Sequence, residues 1–169
     1  MRVPLYSVQG LATGKVSIMA RPRGGDWLFD EIKDLHSSGV DVLVSLLTDA
    51  EVSELDLAEE ATCCREQGIH FISFAIVDLS VPPFSEQTFQ VLRQLKAYLS
   101  EGKHIAFHCR AGIGRSGLMA ASLLVLTGFT SEQAFDLLSQ VRGYSVPETA
   151  EQRTWVAAFW QSQEVEGTF

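Results

Sequence analysis

The amino-acid sequence predicts an α/β fold with a central, mostly parallel sheet of about four to five strands and helices on both faces. Short apolar runs rich in β-branched residues alternate with longer segments whose apolar residues recur at helical spacing. Glycine and proline fall between these segments rather than inside them, and no repeat or linker-like stretch interrupts the pattern. We therefore expect a single domain over residues 1–169.

Four apolar runs are predicted to be strands. The run from Val40 to Leu47 is almost wholly apolar, which is typical of a strand that is buried on both faces of a parallel sheet. The other runs cover residues 16–19, 69–77 and 105–108. A loop that contains Pro82 and Pro83 follows the run over 69–77 and stops it.

Helices are predicted between the strands and after the last one. Asp26 and Ser85 are candidate N-caps of two of them. A helix is expected over 55–67, and a nearly wholly apolar helix over 116–127 is expected in the middle of the domain. The last two helices begin with capping boxes, Thr130 with Gln133 and Thr149 with Gln152.

Composition and charge exclude several classes of function. The net charge of −8 argues against a nucleic-acid partner, because proteins that bind nucleic acids need a basic face. No apolar run reaches the length of a membrane span, and residues 1–14 contain none as long as a signal-peptide core, so we expect a cytoplasmic protein without a membrane partner. A monomer is also expected. Three cysteines cannot all pair within one chain, so a free thiol is expected.

One segment combines a cysteine, an arginine and glycines between a predicted strand and the predicted buried helix. It reads His108-Cys109-Arg110-Ala111-Gly112-Ile113-Gly114-Arg115-Ser116. A loop of this length can wrap around one oxyanion with its backbone N–H groups, and glycines allow the backbone angles that this requires. The positive end of the following helix favours a thiolate, so Cys109 is the candidate nucleophile. The candidate phosphate-binding residues are Arg110, Ala111, Gly112, Ile113, Gly114 and Arg115.

Three neighbours of Cys109 have candidate roles in the same chemistry. Arg115 can grip two phosphate oxygens with its planar guanidinium and spread the charge of the transition state. Ser116 is placed to donate a hydrogen bond to the thiolate, which would help the sulfur to leave in a second step. We expect His108 to hold the loop through hydrogen bonds rather than to act as a base.

The segment resembles the His-Cys-five-residues-Arg-Ser/Thr signature of the cysteine-dependent protein tyrosine phosphatase superfamily, in particular its compact, dual-specificity-like branch. The resemblance extends over about residues 39–159. It implies the fold of that branch and hydrolysis of a phosphorylated protein or peptide through a cysteinyl-phosphate intermediate, without a metal or cofactor. Phosphotyrosine is the expected substrate, with phosphoserine and phosphothreonine as further candidates. Ile113 stands where lipid-directed relatives carry lysine, which argues against a phosphoinositide substrate.

The same resemblance implies a proton donor on a loop upstream of the cysteine. Asp78 lies 31 positions before Cys109 and directly after a predicted strand. It would protonate the leaving oxygen and then, as a carboxylate, activate water. Alternatively, Asp78 only begins the turn before Pro82, as aspartate often does.

Several further residues have two interpretations each. Glu148 stands where tyrosine-specific relatives have a glutamine that positions water, and Gln152 matches a second glutamine or is only half of a capping box. Arg142 can reach the phosphate, although a cation that interacts with the helix dipole is the preferred interpretation. Cys63 and Cys64 can trap an oxidised nucleophile as a disulfide, although buried structural cysteine is preferred.

Two other classes of function stay open. One is a phosphatase-like binding module that captures phosphorylated partners without hydrolysis. The other is cysteine chemistry on another oxyanion, such as arsenate reduction or sulfur transfer. No metal site is predicted, since His36, His70 and His104 have neither the spacing nor the companions of one.

Overall fold

The computed structural model describes residues 3–166, which form five strands and seven α-helices. The strands are β1 (Tyr6–Ser7), β2 (Lys15–Ala20), β3 (Val42–Ser45), β4 (His70–Ser73) and β5 (His104–Cys109). The helices are α1 (Leu28–Ser37), α2 (Asp49–Glu54), α3 (Glu60–Gln67), α4 (Glu86–Ser100), α5 (Gly114–Leu126), α6 (Ser131–Arg142) and α7 (Ala150–Glu166). A 3₁₀ turn over Gly25–Trp27 precedes α1. None of the described helices is both long and apolar enough to cross a membrane.

The strands form one sheet in the order β1-β2-β5-β3-β4, in which β1 is antiparallel to β2 and the other pairs are parallel. The predicted α/β fold with a mostly parallel sheet is confirmed. β5 pairs with both β2 and β3, and its last residue, Cys109, lies opposite Ala20. The predicted nucleophile is therefore at the carboxyl end of the middle strand, which is where ligands bind in open α/β sheets.

Helices cover both faces of the sheet. Successive side chains of β5 point to opposite faces, so neighbouring residues of this strand pack against different helices. Phe107 packs in an apolar cluster with residues of α4, α5, α6 and α7, whereas Ala106 packs in a second cluster with residues of α1 and α3. The predicted burial of the helix after the motif is confirmed, since all 13 residues of α5 are buried. A Cβ on Gly117 would lie only 2.2 Å from Cγ1 of Val146, so glycine allows α5 to pack closely there.

The prediction of a helix over 55–67 is confirmed in its end and wrong in its start. α3 begins at Glu60 and ends at Gln67, before Gly68, and the backbone turns at Asp56, whose φ is +56°. The sequence does not predict α2, which lies before this segment. The sequence also does not predict β1, because two residues show no periodicity and the strand is defined by its pairing with β2.

The helix caps agree only in part with the sequence predictions. Asp26 lies inside the 3₁₀ turn and does not cap α1. Ser85 is the N-cap residue of α4, as predicted, but its side chain accepts no hydrogen bond from the helix. Both predicted capping pairs are present, Thr130 with Gln133 and Thr149 with Gln152.

Candidate active site

The loop between β5 and α5 wraps around the side chain of Cys109. The Gly112 N–H donates a hydrogen bond to the Cys109 Sγ over 3.3 Å. Gly112 has a φ of +74°, and a Cβ at this position would lie 2.4 Å from the carbonyl carbon of Met19. Only glycine fits, so the backbone at the end of β2 determines where the loop lies.

Arg115 lies in the first turn of α5, and its guanidinium is buried and held by Glu51. Nη1 donates to Oε1 of Glu51 over 2.7 Å and to the Ile76 carbonyl over 2.8 Å, and Nη2 donates to Oε2 of Glu51 over 3.0 Å. Burial alone would lower the pKa of Arg115, but the hydrogen bonds with Glu51 and the charges of Cys109, Glu51 and Asp78 raise it above its usual range. Arg115 is thus a fixed cation beside the thiol.

Glu51 is the functional residue that the sequence reasoning missed. It is buried in the first turn of α2, where it forms a capping box with Thr48. Hydrogen bonds from Arg115 above all, and also from the Thr48 N–H and from Arg110, lower the pKa of Glu51 to about 2 although its burial opposes this. The pattern Thr48-x-x-Glu51 was the available signal, and it predicts a helix start but not an ion pair with a residue 64 positions away.

Asp78 lies on the loop after β4, and its carboxylate reaches Arg115. Oδ1 lies 3.1 Å from Nη2 of Arg115, and the side chain is 49% exposed. The same oxygen accepts a hydrogen bond from the Leu79 N–H over 3.0 Å. The structure therefore brings together three of the residues that the sequence selects, Cys109, Arg115 and Asp78.

Three side chains hold the loop that carries Asp78 through its carbonyl groups. The bonds run from Gln152 to Ser80 (3.1 Å), from Trp155 to Pro82 (3.0 Å) and from Thr88 to Pro83 (2.7 Å). Two of the donors lie in the first turns of α7 and the third lies in α4. The final helix therefore contributes to the position of the candidate acid.

Gln152 takes part in two contacts at once. Its side-chain oxygen accepts hydrogen bonds from the N–H groups of Glu148 and Thr149, each over 3.2 Å, while its nitrogen binds the Asp78 loop. A Cβ on Gly114 would lie 2.8 Å from Oε1 of Glu148 and 3.1 Å from Nε2 of Gln152. The Glu148 carboxylate and the Gln152 amide thus both lie against the amino end of α5.

The expected hydrogen bond from Ser116 to the thiol is not formed. Within the described residues, Oγ of Ser116 and Nε of Arg115 are the buried side-chain polar atoms that have no hydrogen-bond partner. The Cys109 sulfur instead accepts from the Gly112 N–H. Leaving such donors unpaired is unfavourable, and both belong to adjacent residues of the motif.

The side chains of His108 and Arg110 hold the loop from outside. His108 is fully buried, and its Nε2 lies 2.5 Å from Oε1 of Glu60 in α3, which agrees with a loop-holding role. The Arg110 guanidinium donates to Glu51 over 3.3 Å and to Glu54 over 3.2 Å. The side chain of Arg110 is therefore bound to α2, so that only its backbone can contribute to a phosphate site.

Arg142, at the end of α6, binds the outer side of the loop. It donates to the carbonyl oxygens of Ala111 over 3.1 Å and Gly112 over 3.2 Å. Its guanidinium carbon also lies 4.4 Å from the ring centroid of Tyr6 and 5.1 Å from that of Tyr144. Because a trans peptide directs its C=O and N–H groups to opposite sides, these bonds turn the following N–H groups inward. Neither sequence interpretation of Arg142 describes this contact.

Cys63 and Cys64 lie on α3, in the apolar cluster on the other side of the sheet from the cluster of Cys109. Burial raises the pKa of both thiols, and all three cysteines are free. The sheet therefore separates them from the candidate nucleophile. Among residues 3–166, no group of three or more histidine, cysteine, aspartate or glutamate side chains is arranged to hold a metal ion.

Comparisons with known proteins give the same family and fold. A family model described as "Polymorphic toxin system, DSP-PTPase phosphatase" matches residues 17–129. Cyclin-dependent kinase inhibitor 3 of Rattus norvegicus is 27% identical over 131 residues, which are 76% of this chain and 61% of the rat protein. The chain thus spans about three fifths of the length of the curated relatives it matches.

Solved structures share the fold at low identity. Kinase associated phosphatase (KAP), with its catalytic cysteine replaced by serine, superimposes with a TM-score of 0.86 at 20% identity, covering 97% of both chains. Tk-PTP in its active form superimposes with a TM-score of 0.73 at 24% identity, covering 88% of this chain and 92% of the other. Since the family model matches well over half of the 169 residues, this chain belongs to the DSP-PTPase family of phosphatases.

Proposed function

We propose that this protein is a cysteine-dependent phosphatase that hydrolyses phosphotyrosine in proteins or peptides. Phosphoserine and phosphothreonine are substrates where their shorter side chains can reach Cys109. The observation that carries the proposal is the pairing of a thiol that accepts the Gly112 N–H with the nearby buried guanidinium of Arg115, which Glu51 fixes. The unpaired Nε–H of Arg115 is a donor available to a phosphate oxygen.

In the first step, the Cys109 thiolate attacks phosphorus. The S–P bond forms as the bond between phosphorus and the ester oxygen breaks, and the N–H groups of the loop and Arg115 stabilise the other phosphate oxygens. Asp78 donates its proton to the leaving oxygen. Its contact with Arg115 over 3.1 Å supports a position beside the leaving group, because the same guanidinium would bind the phosphate.

In the second step, water attacks the cysteinyl phosphate. Asp78, now a carboxylate, takes the proton from water as the new P–O bond forms, and the S–P bond breaks to release phosphate and the thiolate. Gln152 and Glu148 lie against Gly114, at the amino end of α5, which supports a role for them in orienting this water. The two steps balance in atoms and charge without a metal or cofactor.

The relatives support a phosphorylated protein as the substrate. KAP is named as a kinase associated phosphatase, and the rat relative is named as an inhibitor of a cyclin-dependent kinase. We extend to this chain the class of substrate, a phosphoprotein, and not a particular kinase. The alternatives from the sequence, a non-hydrolysing binding module and chemistry on arsenate or thiosulfate, become outcomes of the test.

The test measures hydrolysis of p-nitrophenyl phosphate and of a phosphotyrosine peptide by the purified protein in excess EDTA. A rapid acid quench with radiolabelled peptide should trap the phosphoenzyme. Cys109→Ser should abolish both turnover and the phosphoenzyme while the peptide still binds. Cys63→Ser, which changes a buried thiol on the other side of the sheet, is the matched control and should keep both.

Three results would contradict the proposal. The first is turnover that survives Cys109→Ser or that EDTA abolishes. The second is binding of the peptide by the wild-type protein without any turnover, which would indicate a binding module. The third is reduction of arsenate or transfer of sulfur from thiosulfate in the absence of phosphatase activity.

A further inference from the structure

Two large apolar residues flank the candidate acid, and both are exposed. Val77 is 68% exposed and Leu79 is 55% exposed. A single exposed leucine is ordinary, but Leu79 has a φ of +64°, in a region that branched side chains rarely adopt. The Ser80 N–H donates to the Val77 carbonyl over 3.0 Å and closes a turn with Leu79 at its third residue, where glycine or asparagine is favoured when φ is positive.

The surroundings hold this unfavourable turn in place. The Asp78 carboxylate accepts the Leu79 N–H over 3.0 Å, and Gln152 binds the next carbonyl along the loop, that of Ser80. Trp155 anchors the loop further along its length. Residues held in such conformations cluster at functional sites, and the fold retains them because the surrounding contacts determine the conformation. More than half of Leu79 is exposed, so burial of its side chain does not explain a leucine at this position.

The position of Leu79 next to Asp78 indicates that it contacts the substrate peptide. Asp78 has to reach the leaving oxygen of the phosphorylated side chain, so its neighbours in the loop lie beside the peptide segment that carries this side chain. Arginines of the phosphate loop do not offer a free charge to that segment, because Arg110 is paired with Glu51 and Glu54 and Arg115 with Glu51 and Asp78. A net charge of −8 also does not attract an acidic peptide.

We propose that Leu79, together with Val77, is a specificity-determining residue that contacts an apolar side chain next to the phosphorylated residue of the substrate. The inference rests on the proposed function and deepens it by naming the substrate class. That class is phosphotyrosine peptides with an aliphatic neighbour such as leucine, in preference to peptides with acidic or small polar neighbours.

The test uses two phosphotyrosine peptides that differ only in whether leucine or serine flanks the phosphotyrosine. For the wild type, kcat/KM should be about tenfold higher for the leucine peptide. Contact between Leu79 and the leucine of the peptide buries part of both side chains, and the burial of that much apolar surface corresponds to about this factor. Leu79→Asn keeps a residue that tolerates positive φ and removes the apolar surface, so the ratio should fall to about two. Leu79→Met should restore the preference. Val165→Asn, at a site on α7 that is 90% exposed, should keep the wild-type ratio.

Binding of the same peptides to Cys109→Ser, with and without Leu79→Asn, separates this inference from the proposed function. If the leucine peptide binds more tightly to Cys109→Ser and Leu79→Asn removes this difference, the role of Leu79 is supported. This holds even when the wild type hydrolyses neither peptide, a result that would contradict only the proposed function. The inference is overturned if the two peptides bind equally tightly and are not distinguished in kcat/KM. A Leu79→Asn variant that distinguishes them as well as the wild type also overturns it.

Discussion

Replacing Glu51 by glutamine tests how the guanidinium of Arg115 is held. Glu51 binds Arg115 through both carboxylate oxygens, and the Arg115 side chain is only 1% exposed. Glutamine can still complete the capping box with Thr48, because glutamine at this position serves as well as glutamate. The substitution therefore removes the charge and leaves the start of α2 intact. Removing one partner of a buried ion pair typically costs about 3–5 kcal/mol.

The pKa of Glu51 gives a second estimate of the loss in free energy of unfolding that Glu51→Gln should cause. A fall from the ordinary 4.5 to about 2 corresponds to about 3 kcal/mol of stability at pH 7. Because the pKa is lower in the folded state, this stability is complete above about pH 4.5 and is lost as the pH falls towards 2. The wild type should thus exceed Glu51→Gln in free energy of unfolding by about 3 kcal/mol at pH 7 and by about half as much at pH 3.

Urea denaturation followed by tryptophan fluorescence at pH 7, 5 and 3 measures this difference. Glu54→Gln is the matched control, because its side chain is 65% exposed and its ion pair with Arg110 lies at the surface. An exposed pair of this kind contributes about 1 kcal/mol or less. Equal losses for the two variants, or a loss at Glu51→Gln that is the same at pH 7 and pH 3, would refute the reasoning.

Three other substitutions test the remaining parts of the site. Asp78→Asn should lower kcat for phenyl phosphate by about 10²–10⁴-fold. The loss should be smaller for p-nitrophenyl phosphate, because p-nitrophenolate is a better leaving group and depends less on protonation. Equal losses of kcat across a series of leaving groups would contradict the role of Asp78 as proton donor. Arg142→Met removes two hydrogen bonds to the loop and should raise the inhibition constant for inorganic phosphate about tenfold, whereas Arg93→Met, at an exposed ion pair on α4, should not change it. Gly112→Ala should lower the free energy of unfolding by about 2 kcal/mol or more in urea titrations, and an unchanged midpoint would show that the loop accommodates a Cβ.

Local patterns in the sequence were sufficient for most of the fold. Strands β2 to β5 follow from short apolar runs, and the burial of α5 follows from its lack of a polar face. The sequence does not predict α2, and α3 begins at Glu60 rather than at residue 55, because the backbone turns at positive φ at Asp56. β1 could not be read either, since its partner β2 defines it.

Apart from Asp78, which the family resemblance indicated, the candidate site was predictable mainly where its residues are neighbours in the chain. The spacing from Cys109 to Ser116 is local, so the loop and its arginine were accessible. Glu51 and Glu60 lie 64 and 48 positions from the residues they bind, and these pairs depend on a strand order in which β5 lies between β2 and β3. A sequence shows which residues carry charge, whereas the topology decides which charges meet.

The burial of α5 affects how the protein loses its activity on heating. Surface loops often melt before the rest of a protein, and a site built on them loses activity first. Here the loop between β5 and α5 joins a strand and a helix whose residues are all buried, and α5 is enclosed by the sheet and by other helices. Because both ends of the loop are fixed in the core, thermal inactivation and global unfolding should share one midpoint.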